Sequence, residues 1–497
     1  MELKKLNREN LIELIKNRIP EFKSYSEELI IESVDNDILS RLDMFLIEKN
    51  VYFHAEDNYV ETEWKDMISL HYINTSYCCN PTVMRIHLLK VSKKSGNVYL
   101  GFFTIRIINE LSILLSYIYP NLSAIQKWEY KKNRREKQYI CTYQKIVHLE
   151  GKEFLISTFP MFIQDGTVAS CAHATMLSLG HFLYKKYKFP AISLQDINKE
   201  YTYNRTKNFP TPGLGYQQVI EIFSKKKILI ISEETINWNK RTNEIKMDKE
   251  KFSIIRKRID TSIESAFPVM ILGRFKIVNE ESNITIINHA ILIIGHTFNE
   301  DNEKKYIIYD DSGALLEKIC GHKNIIGELT WEEFEEHCAY ANFLFPQYEK
   351  VYLNSEDIKK QLANKLIKQQ NRYAVEDILE EFEKTYPNTR MILMDNVEIK
   401  MLLHDCLEKN ELIAQFSKTQ IQEILSRNLP HYLWYCEIEY EKGMYFVLLA
   451  DPTFNKDSRA DIFINKEAFY MDRQLCILTQ RGMPDDKKEL LRLDFPN

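Results

Sequence analysis

A helix-periodic run stopped by a proline and followed by β-rich runs constrains this chain most. "CAHATMLSLGHFLYKKY" carries apolar residues at helical spacing from Cys171 to Tyr187, and Pro190 ends it, because the residue before a proline is pushed out of the helical region. A Pro-Gly turn then opens "TPGLGYQQVIEIFSKKKILIIS", which reads as a short helix and a strand. After a charged stretch (233–260), "SIESAFPVMILGRF" leads through Pro268 into a strand, and "ITIINHAILIIGHTF" and "KKYIIYDDSGA" supply two more. A helix followed by β-rich runs with turns between them predicts a helix packed on an antiparallel sheet, an α+β fold.

At 497 residues the chain exceeds what one hydrophobic core serves, so further units are expected on either side. Residues 1–150 begin with helical periodicity and turn strand-like, with "TVMRIHLLKVSKKSGNVYLGFFTI" forming two β-rich runs around a Lys-Lys-Ser-Gly-Asn turn. Beyond Tyr352 the pattern is helical again in "SEDIKKQLANKLIKQQ", "NVEIKMLLHDCLEKN" and "SKTQIQEILSRN", and it closes in a hairpin, "HYLWYCEIEYEKGMYFVLLADPT". The expected division is therefore 1–150 (α+β), 151–352 (helix on sheet) and 353–497 (α+β).

Charge and cysteine usage narrow the function. A net charge of -5 gives no electrostatic reason to expect nucleic acid or an anionic membrane as a partner, and "KKNRREK" (131–137) reads as a solvated face. The most apolar stretch, "GFFTIRIINELSILLSYIYP", is interrupted by Arg106, Asn109 and Glu110 and is not a spanning helix. The first residues lack the unbroken apolar core of a signal peptide, and 9 scattered cysteines suit a reducing compartment, so the cytoplasm is expected. No Cys-x-x-Cys pair occurs, and neither a cofactor nor a metal site is expected. Abundant Ile, Lys and Asn fit an AT-rich bacterial genome.

One thiol stands where chemistry is easiest. Cys171 opens its helix, and a helix amino terminus stabilises a thiolate, as does a neighbouring imidazolium. His173 lies about 200° around the helix from it and is expected to pack or face solvent. His289 is the better base, expected at the entrance of a strand anchored by the apolar run behind it. The next strand ends in Asp310 and Asp311, either of which could hold the imidazole's orientation; alternation groups Tyr306, Ile308 and Asp310 on one face, and Asp310 is favoured. Gln164, seven positions before the cysteine, could direct its amide at an oxyanion together with the backbone N–H of Cys171. Other reactive types fare worse. His404, Asp405 and Cys406 diverge by about 100° each on a helix. Asp451 lacks a second carboxylate at metal-site spacing, and His431 and Cys436 read as structural.

The segments "QDGTVASCAHA", "FPVMILGRF", "NHAILIIGHTF" and "YIIYDDSG" resemble successive landmarks of the papain-like cysteine peptidase superfamily, especially its C39-like members, over roughly residues 155–350. The gap from Gln164 to Cys171 is one residue longer than in papain-type enzymes, and Ala172 stands where an aromatic residue is common. An Asp in place of Asn after the histidine strand is similar to the C39-like branch. The resemblance implies a thiol hydrolase cleaving peptide or isopeptide bonds in a protein or peptide substrate through Cys171, His289, Asp310 and Gln164 and a covalent acyl-enzyme. The same residues would serve a deamidase or acyltransferase, and a scaffold retaining the fold without turnover is the alternative of another class. The flanking regions are expected to choose substrate or bind a protein partner.

Overall fold

The computed structural model describes residues 3–18, 30–32, 34–40, 51–72, 81–92, 96–107, 111–118, 139–199, 211, 213–239, 244–247, 249–278, 284–298, 303–321, 324–349, 351–352, 354–370, 378–386, 389–409, 426, 430–441, 444–450, 452 and 478–479. "KKNRREK", "SKTQIQEILSRN" apart from Ser426, Cys78, Cys79 and Asp451 lie outside the described residues. Helices and antiparallel sheets make a mixed α+β protein. The chain divides into two compact units, Met1–Ile259 with Ala266–Pro346, and Asp260–Ser265 with Gln347–Asn497.

The first unit opens with strand β1 (Lys4–Lys5), helix α1 (Arg8–Arg18), strand β2 (Val51–Tyr59) and helix α2 (Thr62–Leu70). Strands β3 (Val83–Ser92), β4 (Gly96–Ile107) and β5 (Leu111–Ile118) follow, pairing antiparallel. In β2 the side chains of Val51, Phe53 and Ala55 alternate inward. The middle of the sheet is covered on both faces, so β3 and β4 bury consecutive residues, including four charged or polar ones, Arg85, His87, Thr104 and Arg106.

Strand β6 (Tyr139–Ile140) precedes a hairpin of β7 (Tyr143–Leu149) and β8 (Lys152–Thr158), and β9 (Met161–Phe162) comes next. The expected boundary at 150/151 falls in the turn of that hairpin. Glu150 and Gly151 both take left-handed φ, 47° and 74°, as a two-residue hairpin turn requires. Short-range pattern cannot show why the boundary is absent there: β9 returns to the first sheet, giving the order β1-β2-β3-β4-β5-β9.

Helix α3 (Cys171–Tyr187) occupies the residues its periodicity indicated, and it ends with Lys188 in the left-handed conformation at φ 60°. It packs against both large sheets of this unit, so Ala172 to Gly180 are buried on every face, while Cys171 and the last turns reach water. Helix α4 (Leu194–Lys199), α5 (Tyr216–Lys225), β10 (Leu229–Glu234), the hairpin β11 (Ile236–Asn239) and β12 (Glu244–Met247), and α6 (Lys249–Glu264) follow. Strands β13 (Val269–Val278), β14 (Ile284–Phe298) and β15 (Lys304–Tyr309), helix α7 (Ala314–Cys320), β16 (Ile326–Thr330), α8 (Trp331–His337) and β17 (Cys338–Gln347) complete the second sheet, ordered β10-β17-β13-β14-β15-β16. Strand β6 also joins β14, opposite Gly295, where a Cβ would stand 2.3 Å from the Tyr139 carbonyl oxygen. Only a glycine admits that approach.

The second unit has helices α9 (Ser355–Gln370), α10 (Ile378–Thr385) and α11 (Asn396–Lys409) with a sheet ordered β18 (Arg390–Asp395), β19 (Tyr432–Glu441), β20 (Met444–Ala450) and β21 (Leu478–Thr479). Asn354 and Asp357 exchange side-chain bonds with each other's backbone N–H and start α9. Met391 to Met394 and Tyr432 to Cys436 are buried consecutively, as strands covered on both faces are. Among the described residues no helix is long and apolar enough to cross a membrane.

Candidate active site

Cys171 is the first residue of α3 and is half-buried. Ser170 caps the helix, and its N–H and hydroxyl both meet Nδ1 of His173, at 3.4 and 2.8 Å. His173 is therefore a fully buried capping residue and not a surface one, and burial pushes its pKa down to about 4. One turn into the helix, Thr175 Oγ1 donates to the carbonyl of Ala290 at 3.2 Å, which locks the cysteine helix to the strand carrying His289.

His289 does not stand at the entrance of β14 but inside it, because the strand begins at Ile284 and pairs with β13 along its early length. Its Nε2 lies 2.7 Å from Asp310 Oδ1, and the Cys171 thiol is close enough to the same ring to raise its pKa. Burial alone would depress the imidazole pKa; the charge and hydrogen bond of Asp310, with the thiol, outweigh it and hold the pKa well above the ordinary value.

Asp310 is fully buried and follows β15 directly. Besides the imidazole, Oδ1 accepts from the N–H and hydroxyl of Ser312 at 3.2 and 3.1 Å. Oδ2 accepts from the N–H groups of Leu315 and Leu316, in the first turn of α7, at 2.8 and 3.2 Å. Burial raises its pKa, but the imidazolium and these backbone donors prevail and keep it below the usual carboxylate value. His289, Asp310 and Asp311 bring ligand atoms within 4.8 Å of one another, the kind of grouping that metals use. Asp310's oxygens are already filled by five donors, so this grouping fits a hydrogen-bonded acid–base pair better than a metal centre.

The second aspartate has different work. Asp311, also fully buried, accepts the N–H of Gln164 on Oδ2 at 3.3 Å, while the Gln164 carbonyl accepts from Nη2 of buried Arg106 at 2.8 Å. Upstream, the Phe162 N–H donates to Ser178 Oγ, the Phe162 carbonyl accepts from the Tyr309 hydroxyl, and the Ile163 N–H donates to the Leu114 carbonyl. Every main-chain polar group from Phe162 to Gln164 is thus engaged, since the Ile163 carbonyl lies 3.5 Å from Arg106 Nη1. Between Gln164 and Cys171 the chain folds around Asp165, whose Oδ1 accepts the N–H groups of Thr167, Val168 and Ala169 and whose Oδ2 accepts the Tyr72 hydroxyl at 2.7 Å. That turn accommodates the longer glutamine-to-cysteine gap.

The fold therefore gathers Cys171, His289 and Asp310, and it fixes Gln164 at the head of the loop leading to the cysteine. Sequence reasoning gives Arg106, Tyr72 and Asp165 no role, and Asp311, its alternative for orienting the imidazole, instead accepts the Gln164 N–H. The one signal was Arg106, a charge inside an apolar strand run. His431 pairs with Asp395 at 2.9 Å, and Cys436 is buried in β19. His404 lies exposed on α11. Of the other cysteines among the described residues, Cys141, Cys338 and Cys436 are buried; burial raises the pKa of Cys338 to about 12 and raises that of exposed Cys320. Compared with known proteins, the chain matches no family model and no curated protein.

Proposed function

We propose that the chain is a papain-like cysteine hydrolase acting on peptide or isopeptide bonds. The observation that carries the reading is a single imidazole bonded on one nitrogen to a buried carboxylate at 2.7 Å, its pKa raised by that carboxylate and by a thiol at a helix amino terminus. His289 accepts the thiol proton and the sulfur adds to the amide carbonyl. The carbonyl electron pair moves to oxygen, where the Cys171 N–H and the Gln164 amide would receive it. Collapse breaks the C–N bond as the His289 imidazolium protonates the leaving amine, leaving an S-acyl enzyme. Water, deprotonated by His289, adds to that thioester and releases the acid and the thiol. An amine in place of water would give acyl transfer.

The test is labelling with iodoacetamide followed by peptide mapping. Cys171 is expected to react far faster than the other cysteines, including exposed Cys320, and His289→Ala removes that preference. Uniform labelling would favour a fold kept as a scaffold. Comparing proteins cleaved by the wild type and by Cys171→Ala in a lysate then identifies the substrate bond.

A further inference from the structure

We infer that Arg106 is a positioning residue of this site, through which the amino-terminal sheet aims Gln164 at the oxyanion; the inference rests on the hydrolase reading above. Arg106 lies on β4 and is 2% exposed. Burying a guanidinium costs several kcal/mol unless its donors are satisfied, and a strand buried on both faces is easier to build from apolar residues. The donors of Arg106 end on the Gln164 carbonyl at 2.8 Å and toward the Ile163 carbonyl at 3.5 Å, with Met67 Sδ at 3.7 Å from Nη1.

The opposite dipole of the same residue, the Gln164 N–H, is taken by Asp311, adjacent to Asp310. A buried guanidinium from β4 and a buried carboxyl from the bend after β15 thus grip the two peptide groups flanking one Cα. Fixing both peptide planes fixes the direction of the Cα–Cβ bond, the base from which the side-chain rotamers of Gln164 project the amide. The strand entering this residue, β9, is itself the edge of the amino-terminal sheet, paired with β5. Displacements of about 1 Å in such a donor cost of order 10²-fold in rate, so the grip has a kinetic consequence.

Two reagents separate aiming from folding without a known substrate. Iodoacetamide alkylates the thiolate by displacing iodide and forms no oxyanion. 4-Nitrophenyl acetate acylates it through a tetrahedral oxyanion, forming the S–C bond and expelling 4-nitrophenolate. In Arg106→Met, acylation of Cys171 is expected to fall about 10²- to 10³-fold, as for loss of one oxyanion donor, while alkylation stays within about twofold of wild type. Gln164→Ala sets the scale of the loss, and adding Arg106→Met to it lowers acylation no further. Arg106→Lys, which keeps the charge and loses the fork, falls between, and it decides the matter should Arg106→Met not fold. Acylation unchanged, or falling in parallel with alkylation in a folded variant, overturns the positioning role alone. Alkylation of the wild type with no preference for Cys171 overturns the hydrolase reading and the positioning role together.

Discussion

Asp310 fills both carboxylate oxygens, one on an imidazole and one on the first turn of a helix, and this double use sets how the site answers to pH. His289 has its pKa raised on folding, so its contribution to stability is complete below 6.5 and is lost as pH rises through the folded value. Asp310 has its pKa lowered, so its contribution is complete above 3.8 and is lost as pH falls through the folded value. The pair therefore stabilises fully between those two values. A thiolate beside an imidazolium reacts while the imidazolium keeps its proton, so the alkaline limb of Cys171 acylation is expected above pH 6.5. Asp310→Asn removes the opposite charge and moves that limb down by about 1–3 pH units, read from the pH–rate profile. In His289→Ala the acylation rate at neutral pH falls about 10²- to 10⁴-fold, the contribution typical of one acid–base group.

At the scale of elements, the decisive piece is the turn between β9 and α3. Asp165 gathers three backbone N–H groups that would otherwise point at water or at each other, and Gly166 follows it at φ 71°. Asp165→Ala leaves those donors without their charged acceptor, so a stability loss of about 1.5–3 kcal/mol is expected in urea unfolding. Acylation of Cys171 should fall with it, because Ser170 and Cys171 continue directly from this turn. Residue periodicity located the helix correctly, since apolar spacing and a stopping proline are local signals. It gave no sign that Ala172 to Gly180 would be buried on all sides, because burial there comes from two sheets supplied by distant parts of the chain. His289 illustrates the same limit: the apolar run behind it suggests a strand entrance, yet pairing of residues 284–288 with β13 places five strand residues ahead of it.

For the whole molecule, the amino-terminal 150 residues are part of the scaffold of the site. Strand β9 completes their sheet, β6 pairs with β14, and Arg106 and Tyr72 reach the loop before the cysteine. Residues 151–346 expressed alone are therefore expected to lose cooperative thermal unfolding and selective labelling of Cys171. A chain ending at Pro346 should retain that selectivity, because the hydrogen-bond partners of Cys171, His289, Asp310 and Gln164 described above all lie in the first unit. Unchanged folding of 151–346 would show that the amino-terminal sheet is a separate addition.

The sequence by itself determined the α+β class, the extent of the cysteine helix, the hairpins β3–β4 and β19–β20 and the order Gln164, Cys171, His289, Asp310, because propensity, proline and turn chemistry act over a few residues. Tertiary structure decided that Asp310 holds the imidazole while Asp311 holds Gln164, that His173 caps a helix, and that a charge interrupting an apolar strand grips the loop ahead of the nucleophile. Apart from the His173 cap, three residues from Ser170, those outcomes depend on which buried donors meet which acceptors between residues 21, 58 and 147 positions apart, and no local pattern encodes that pairing.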